Sequence, residues 1–162
     1  MPDIVDKATR SRMMAGIRNK DTRPELSLRK ALHARGFRYR LHDRRLAGRP
    51  DLVFPKHRAV CFVHGCFWHR HPGCRYATTP ATRPAFWQAK FADNVTRDER
   101  NRQQLLQAGW RIAVVWECSL RGNRLQSTVS QFANWIASDS RAFSTAVPIE
   151  AHTESSENDH GR

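Results

Sequence analysis

The segment His64-Gly-Cys66-Phe-Trp-His69-Arg-His71-Pro-Gly-Cys74 places five side chains able to bind a metal or carry a proton within eleven residues. Thiolate and imidazole are donors that zinc selects, and a structural zinc centre closes with four of them in a tetrahedron. Cys66, His71 and Cys74 lie close enough along the chain to reach one centre. Cys118, just past a predicted strand, is placed to supply the fourth ligand. Cys61 sits in the run Ala59-Val-Cys-Phe-Val63 and reads as a small core residue. In a chain expected to be cytoplasmic, these four cysteines are not a disulfide framework.

A second chemistry centres on Asp51, which opens a predicted strand, and His64, which closes the next one. A carboxylate there can hold Mg²⁺, which takes one or two carboxylates and fills its shell with water, phosphate or backbone oxygen. Such an ion neutralises charge at a phosphodiester under attack and lowers the pKa of a water. His64 and His69 suit proton transfer, because imidazole titrates near working pH. Other readings stay open: Asp51 could pair with Arg49 or start a turn, and His69 could be a spare imidazole beside zinc. Glu25 is the third residue after Thr22 in Thr22-Arg-Pro-Glu25, a capping-box pattern that explains it without catalysis.

Phe67 and Trp68 interrupt the ligand run, and Trp87 opens a helix soon after it. Aromatics on a metal-stiffened loop can stack on bases or wedge between base pairs. Trp87 and Phe86 could equally anchor their helix to the sheet. The charge favours a polyanionic partner: net +13 overall, with 27 Lys/Arg against 11 Asp/Glu in residues 1–142. No apolar run is long enough to span a membrane, and the N-terminus lacks the features of a secretory signal.

Positioning these groups takes a mixed sheet. Helices are predicted over residues 22–36, closed by Gly36, over 85–107 with a break near Asp93-Asn94, and from Leu125 to about residue 137. Thr82 is the expected cap of the second. Strands are predicted at 37–41, 51–54, 58–64 and 110–116, the second and third forming a hairpin. The irregular stretch 65–82 reads as a functional or metal-organised loop. The fold class is α/β, with a crossover helix in a mixed sheet. Residues 1–142 form one domain, with 1–20 as an N-terminal arm or helix, and the polar, acidic residues 143–162 are expected to be a disordered tail.

Together these residues resemble the very short patch repair (Vsr) DNA mismatch endonucleases. The stretches that carry the resemblance are Asp6-Lys-Ala-Thr-Arg-Ser11, Gly48-Arg-Pro-Asp51, Val63-His-Gly-Cys-Phe-Trp-His69, Pro80-Ala-Thr-Arg83, Phe86-Trp87, Asn94-Val95, Gly109-Trp-Arg111 and Val115-Trp-Glu-Cys118. The resemblance implies a restriction-endonuclease-like fold with a structural zinc held by Cys66, His71, Cys74 and Cys118. It implies a monomer that nicks duplex DNA on the 5′ side of the thymine in a T:G mismatch left by deamination of 5-methylcytosine. It assigns Asp51 and the Val63 backbone carbonyl to magnesium, catalysis to Asp51, His64, His69 and Glu25, and DNA contact or intercalation to Phe67, Trp68, Trp87 and Met14. It also implies a functional link to mismatch-repair proteins and to a cytosine-5 methyltransferase. Two departures stand out: Val63 replaces a threonine, and Pro72-Gly73 lengthens the ligand loop by one residue.

Two other functions fit part of this pattern. A restriction-type endonuclease keeps the chemistry but cuts both strands. A zinc-bearing DNA-binding protein without catalysis leaves Asp51, His64 and His69 unexplained.

Overall fold

The computed structural model describes residues 21–145. The N-terminal arm, with Met14, and residues 146–162 lie outside the described residues.

Helix α1 (Arg23–Ala34) begins where the capping pattern places it. The Thr22 hydroxyl accepts from the Glu25 N–H at 3.4 Å. Leu28 and Leu32, one turn apart, are fully buried, and each such burial stabilises the fold by about 1.5–3 kcal/mol. Gly36, at φ +93°, ends the helix in the left-handed region. Strand β1 is shorter than expected, Arg40–Leu41, because Phe37 and Tyr39 pack on the core without joining the ladder.

Strands β2 (Leu52–Phe54) and β3 (Ala59–His64) form the expected antiparallel hairpin, turned by a short 3-10 segment at Pro55–His57. Helix α2 (Pro84–Gln107) then crosses to β4 (Arg111–Trp116), which pairs parallel with β3. The crossover helix is continuous through Asp93 and Asn94. Asn94 does not break it, because its side-chain amide reaches away and donates to the Trp68 carbonyl at 3.1 Å. Its N-cap is Arg83 at φ +56°, with no side-chain cap, so Thr82 does not play that part.

Helix α3 (Arg124–Ile136) returns the chain to a fifth strand, β5 (Ala142–Ser144), parallel to β4. This strand crosses the boundary expected at residue 142. Phe143 packs its ring against Phe132 at 6.2 Å and Trp135 at 5.8 Å. That burial offsets the entropy of ordering, and a three-residue strand is too short to show alternation in sequence.

The result is a mixed five-stranded sheet in the order β1-β2-β3-β4-β5, flanked by helices. Period-two alternation sorts the side chains. Leu52, Phe54, Cys61, Ala113 and Val115 face α1 and α3 in the main core, which confirms Cys61 as a core thiol. Val53, Val60 and Ile112 face Leu105 of α2. Among the described residues no helix is long and apolar enough to cross a membrane.

Candidate active site and metal centre

The β2–β3 hairpin brings the first two candidates together. The Asp51 carboxylate accepts from the Val63 N–H through Oδ2 at 2.7 Å. Its other oxygen lies 3.8 Å from His42 Nε2. Burial, opposed by the Val63 hydrogen bond and reinforced by the nearby Glu25 charge, pushes the Asp51 carboxyl up to about 6. A half-buried carboxylate whose charged form is disfavoured in this way gains from a hard dication, so the residues present fit magnesium. Asp51 is committed to Val63 and His42, which answers the alternative of a pair with Arg49. The turn into it is built by Gly48, at φ +75°, where a Cβ would meet the Asn101 amide at 2.9 Å.

Glu25 caps α1 and also faces His42. It is 1% exposed, yet its Oε2 accepts from the Asp21 N–H at 2.9 Å and its Oε1 meets His42 Nε2 at 2.6 Å. Arg29, one turn along α1, pairs with the same Oε1 and bridges to Asp21 at 2.5 Å. The first turn of α1 therefore points at Asp51 through His42. His42 itself adopts φ +46°. Neither His42 nor Arg29 was singled out in the sequence, since a lone imidazole after a short strand carries no spacing signal.

His64 and His69 lie face to face, 3.9 Å apart. Burial, and then the neighbouring His69 charge, pulls His64 down to about 3. His69 Nδ1 meets Asp98 Oδ2 of α2 at 2.5 Å. Burial acts to raise Asp98, but its hydrogen bond to His69 and that ring's charge outweigh it and hold the carboxyl below its ordinary value. Asp98 was missed as well. The available signal was helical spacing: Asn94 and Asp98 are one turn apart on α2, and both hold the Trp68-His69 stretch.

His69 is not a spare zinc ligand. The ligand atoms of Cys66, His71, Cys74 and Cys118 lie within 4.8 Å of one another, all four residues buried, and His69 is outside the set. His71 Nδ1 is 3.8 Å from Cys66 Sγ and 3.4 Å from Cys118 Sγ. A tetrahedron with bonds of about 2.0–2.3 Å has edges of roughly 3.5 Å, so the donors fit zinc in kind and spacing. Burial pushes the Cys66 thiol up to about 12, and a dication is what draws such thiols into thiolates. The extra loop residue is absorbed in a turn: Cys74 N–H donates to the His71 carbonyl at 3.2 Å, with Gly73 at φ +70°.

Phe67, Trp68 and Trp87 form one aromatic cluster with Phe91. Phe67 lies 5.0 Å from Trp68, 5.7 Å from Trp87 and 5.1 Å from Phe91. Trp87 is 6% exposed and serves as a packing anchor in this conformation, while Phe67 and Trp68 are half-buried. Arg70 locks the loop. Its guanidinium donates to the Thr78 carbonyl at 2.8 Å and the Ala77 carbonyl at 3.0 Å, and lies 4.0 Å over the Phe91 ring.

Of the candidate catalytic groups, Asp51, His64 and His69 line one cleft of about 1700 Å³ together with Asp98, whereas Glu25 is buried and does not line it. Arg44, Arg49, Arg70, Arg97, Arg100 and Arg102 also line it. Acid and imidazole at the floor with guanidinium on the walls suit a phosphodiester backbone.

Comparison with known proteins converges on the same chemistry. The family described as DNA mismatch endonuclease Vsr matches residues 2–75. A type II nicking enzyme (V.XorIIP) of Xanthomonas oryzae pv. oryzae is 48% identical over 120 residues, covering 74% of this chain and 88% of that one. The DNA mismatch endonuclease Vsr of Escherichia coli is 42% identical over 142 residues, covering 86% and 90%. A type II nicking enzyme (V.NmeAIP) of Neisseria meningitidis is 41% identical over 125 residues, covering 77% and 89%. With this similarity running through the hairpin, the imidazole pair and the Cys/His cluster, the chain belongs to the family of Vsr and type II nicking endonucleases.

Proposed function

We propose that this protein is a Mg²⁺-dependent endonuclease that nicks duplex DNA 5′ of the thymine in a T:G mismatch, in very short patch repair of deaminated 5-methylcytosine. The observation that carries the reading is the β2–β3 hairpin, which sets Asp51 against Val63 and ends in His64, stacked on His69, at the floor of an arginine-lined cleft.

Asp51 and the Val63 backbone carbonyl would hold the magnesium ion. When bound, magnesium supplies positive charge to the phosphate and lowers the pKa of a coordinated water. The rest of the work falls to side chains. Asp98, ionised, fixes His69 with its proton on Nδ1, leaving Nε2 free to take a proton; a carboxylate there also stabilises the imidazolium that results. His64 stays neutral at working pH and orients its neighbours. Glu25 holds His42 beside Asp51. Phe67 and Trp68, backed by the packed ring of Trp87, enter the base stack at the mismatch, and Met14 completes the contact with DNA. The arginines supply affinity for any duplex, strongly dependent on salt. The protein acts as a monomer in the cytoplasm, alongside mismatch-repair proteins and a cytosine-5 methyltransferase whose product it helps to protect.

The test is a strand-specific nicking assay on T:G and matched duplexes, with and without Mg²⁺. A single nick 5′ of the thymine, only in the mismatched duplex and only with Mg²⁺, is expected. Cleavage of both strands of a matched duplex would instead identify a restriction-type enzyme. Binding with no cleavage under any condition would leave a zinc-bearing DNA-binding protein.

A further inference from the structure

Three ring contacts run without a gap from the Cys/His centre to the imidazole pair. His71 stacks on Trp116 at 4.2 Å with 8° between the planes. Trp116 meets His64 at 5.2 Å, edge to face. His64 stacks on His69 at 3.9 Å with 5° between the planes. The sheet enforces this order, because His64 and Trp116 are register partners at the ends of the parallel strands β3 and β4. Side chains opposite one another in such a pair share a face. Trp116 is itself held by the last strand: its Nε1 donates to Ser144 Oγ at 3.3 Å, and its backbone N–H donates to Thr145 Oγ1 at 2.9 Å.

We infer that Trp116 is a positioning residue through which the Cys66/His71/Cys74/Cys118 centre sets the working orientation of His64 and His69. The indole offers no proton and no ligand atom to either centre. What it offers is a rigid plane, stacked on the His71 imidazole of the Cys/His set and in edge contact with the buried His64. Its removal frees the His64 ring to turn, and misplacement of a reacting group by about 1 Å costs on the order of a hundredfold in rate. The inference rests on the proposed function, in which His69 moves the proton and His64 orients it.

Trp116→Met keeps apolar volume but removes the plane, and Trp116→Phe keeps a ring. Both are measured as the zinc-loaded full chain, for zinc content, affinity for a T:G duplex in Ca²⁺, single-turnover nicking in Mg²⁺, and carbethoxylation of His64 by diethyl pyrocarbonate. Trp116→Met is expected to keep its zinc and its duplex affinity, to nick about tenfold to a hundredfold more slowly, and to modify faster at His64. Trp116→Phe is expected to recover most of the rate. Wild-type nicking by Trp116→Met, an equal defect in both variants, or zinc loss in step with the rate overturns the inference. If Trp116→Met does not fold, the wild-type chain decides. Replacing zinc by the larger cadmium ion should then shift the His64 ring resonances while leaving His33 and His57 in place, and an unmoved His64 overturns the inference. His64→Ala run in parallel separates the two ideas. If it nicks normally, the orienting role given to His64 in the proposed function fails, while carbethoxylation of His64 in Trp116→Met still measures the bracing.

Discussion

His64 and His69 are stacked at 3.9 Å with their planes 5° apart, and only His69 has a carboxylate partner, Asp98 at 2.5 Å. Two cations at that separation repel strongly, so the pair divides its work. In the proposed mechanism His69 moves the proton, and His64, which burial keeps neutral, orients it.

From this division, His64→Ala and His69→Ala should each retain zinc and lose nicking rate by roughly 10²–10⁴. Asp98→Asn should follow His69→Ala in direction with a smaller loss, because the tautomer is no longer fixed. His71→Ala should differ in kind, with zinc and thermal stability lost together. Metal analysis alongside single-turnover rates checks this sorting, and equal zinc loss in all three histidine variants would show it to be wrong.

Asp51 leads to a prediction about pH. Its folded value of about 6 lies above its ordinary 3.8, chiefly through burial. The folded state therefore holds that proton more tightly than the unfolded state does. Without metal, the ionised group destabilises the protein fully above about pH 6, and the penalty fades as pH falls to 3.8. Two pKa units correspond to about 3 kcal/mol as an order of magnitude. Asp51→Asn should raise the melting temperature of Mg²⁺-free protein at pH 8, with no gain at pH 4, while abolishing nicking. His64 has the opposite sign: its value falls from 6.5 to about 3, so its contribution to stability is lost as pH falls through that range. Thermal melts of both forms across pH 4–8 test the prediction, and a gain for Asp51→Asn that did not depend on pH would remove its basis.

Cys118→Ser should release zinc and lower the melting temperature in the same preparation, since it breaks a closed four-donor set. Cys61→Ser, in the main core and outside that set, should keep its zinc. A full zinc complement in Cys118→Ser would refute the ligand assignment.

The aromatic cluster should split by burial. Trp87→Ala should cost about 3–5 kcal/mol of stability, as expected for a large buried ring. The double change Phe67→Ala, Trp68→Ala should instead reduce the preference for T:G over C:G duplex and leave zinc content and the salt dependence of binding nearly unchanged. Inserting rings between base pairs costs a few kcal/mol per step, less at a wobble pair, and that difference is what the double variant removes. Competition binding with matched and mismatched duplexes measures it, and an intact preference would return both rings to packing.

The hairpin, the crossover helix and the four-donor loop were legible because each has a local signature: alternation, helical period, or ligand types at short spacing. Glu25 shows where local reading stops. Its spacing from Thr22 specifies a cap, while its second partner, His42, arrives from the bend after β1, seventeen residues away. Asp98 lies twenty-nine residues from His69, and only the packing of α2 beside the loop reveals the pair. Strand β5 escaped because Phe143 is held by rings of α3 and by a ladder to β4, neither of which marks the sequence nearby.

The hairpin has a consequence for how the enzyme can move. Asp51 directly precedes β2, and His64 ends β3, so one backbone ladder spans the distance between the Asp51 carboxylate and the His64 imidazole. No hinge lies between them. The arginines that line the cleft can shift on substrate, yet the spacing of these two groups stays fixed like the jaws of a caliper locked at one setting.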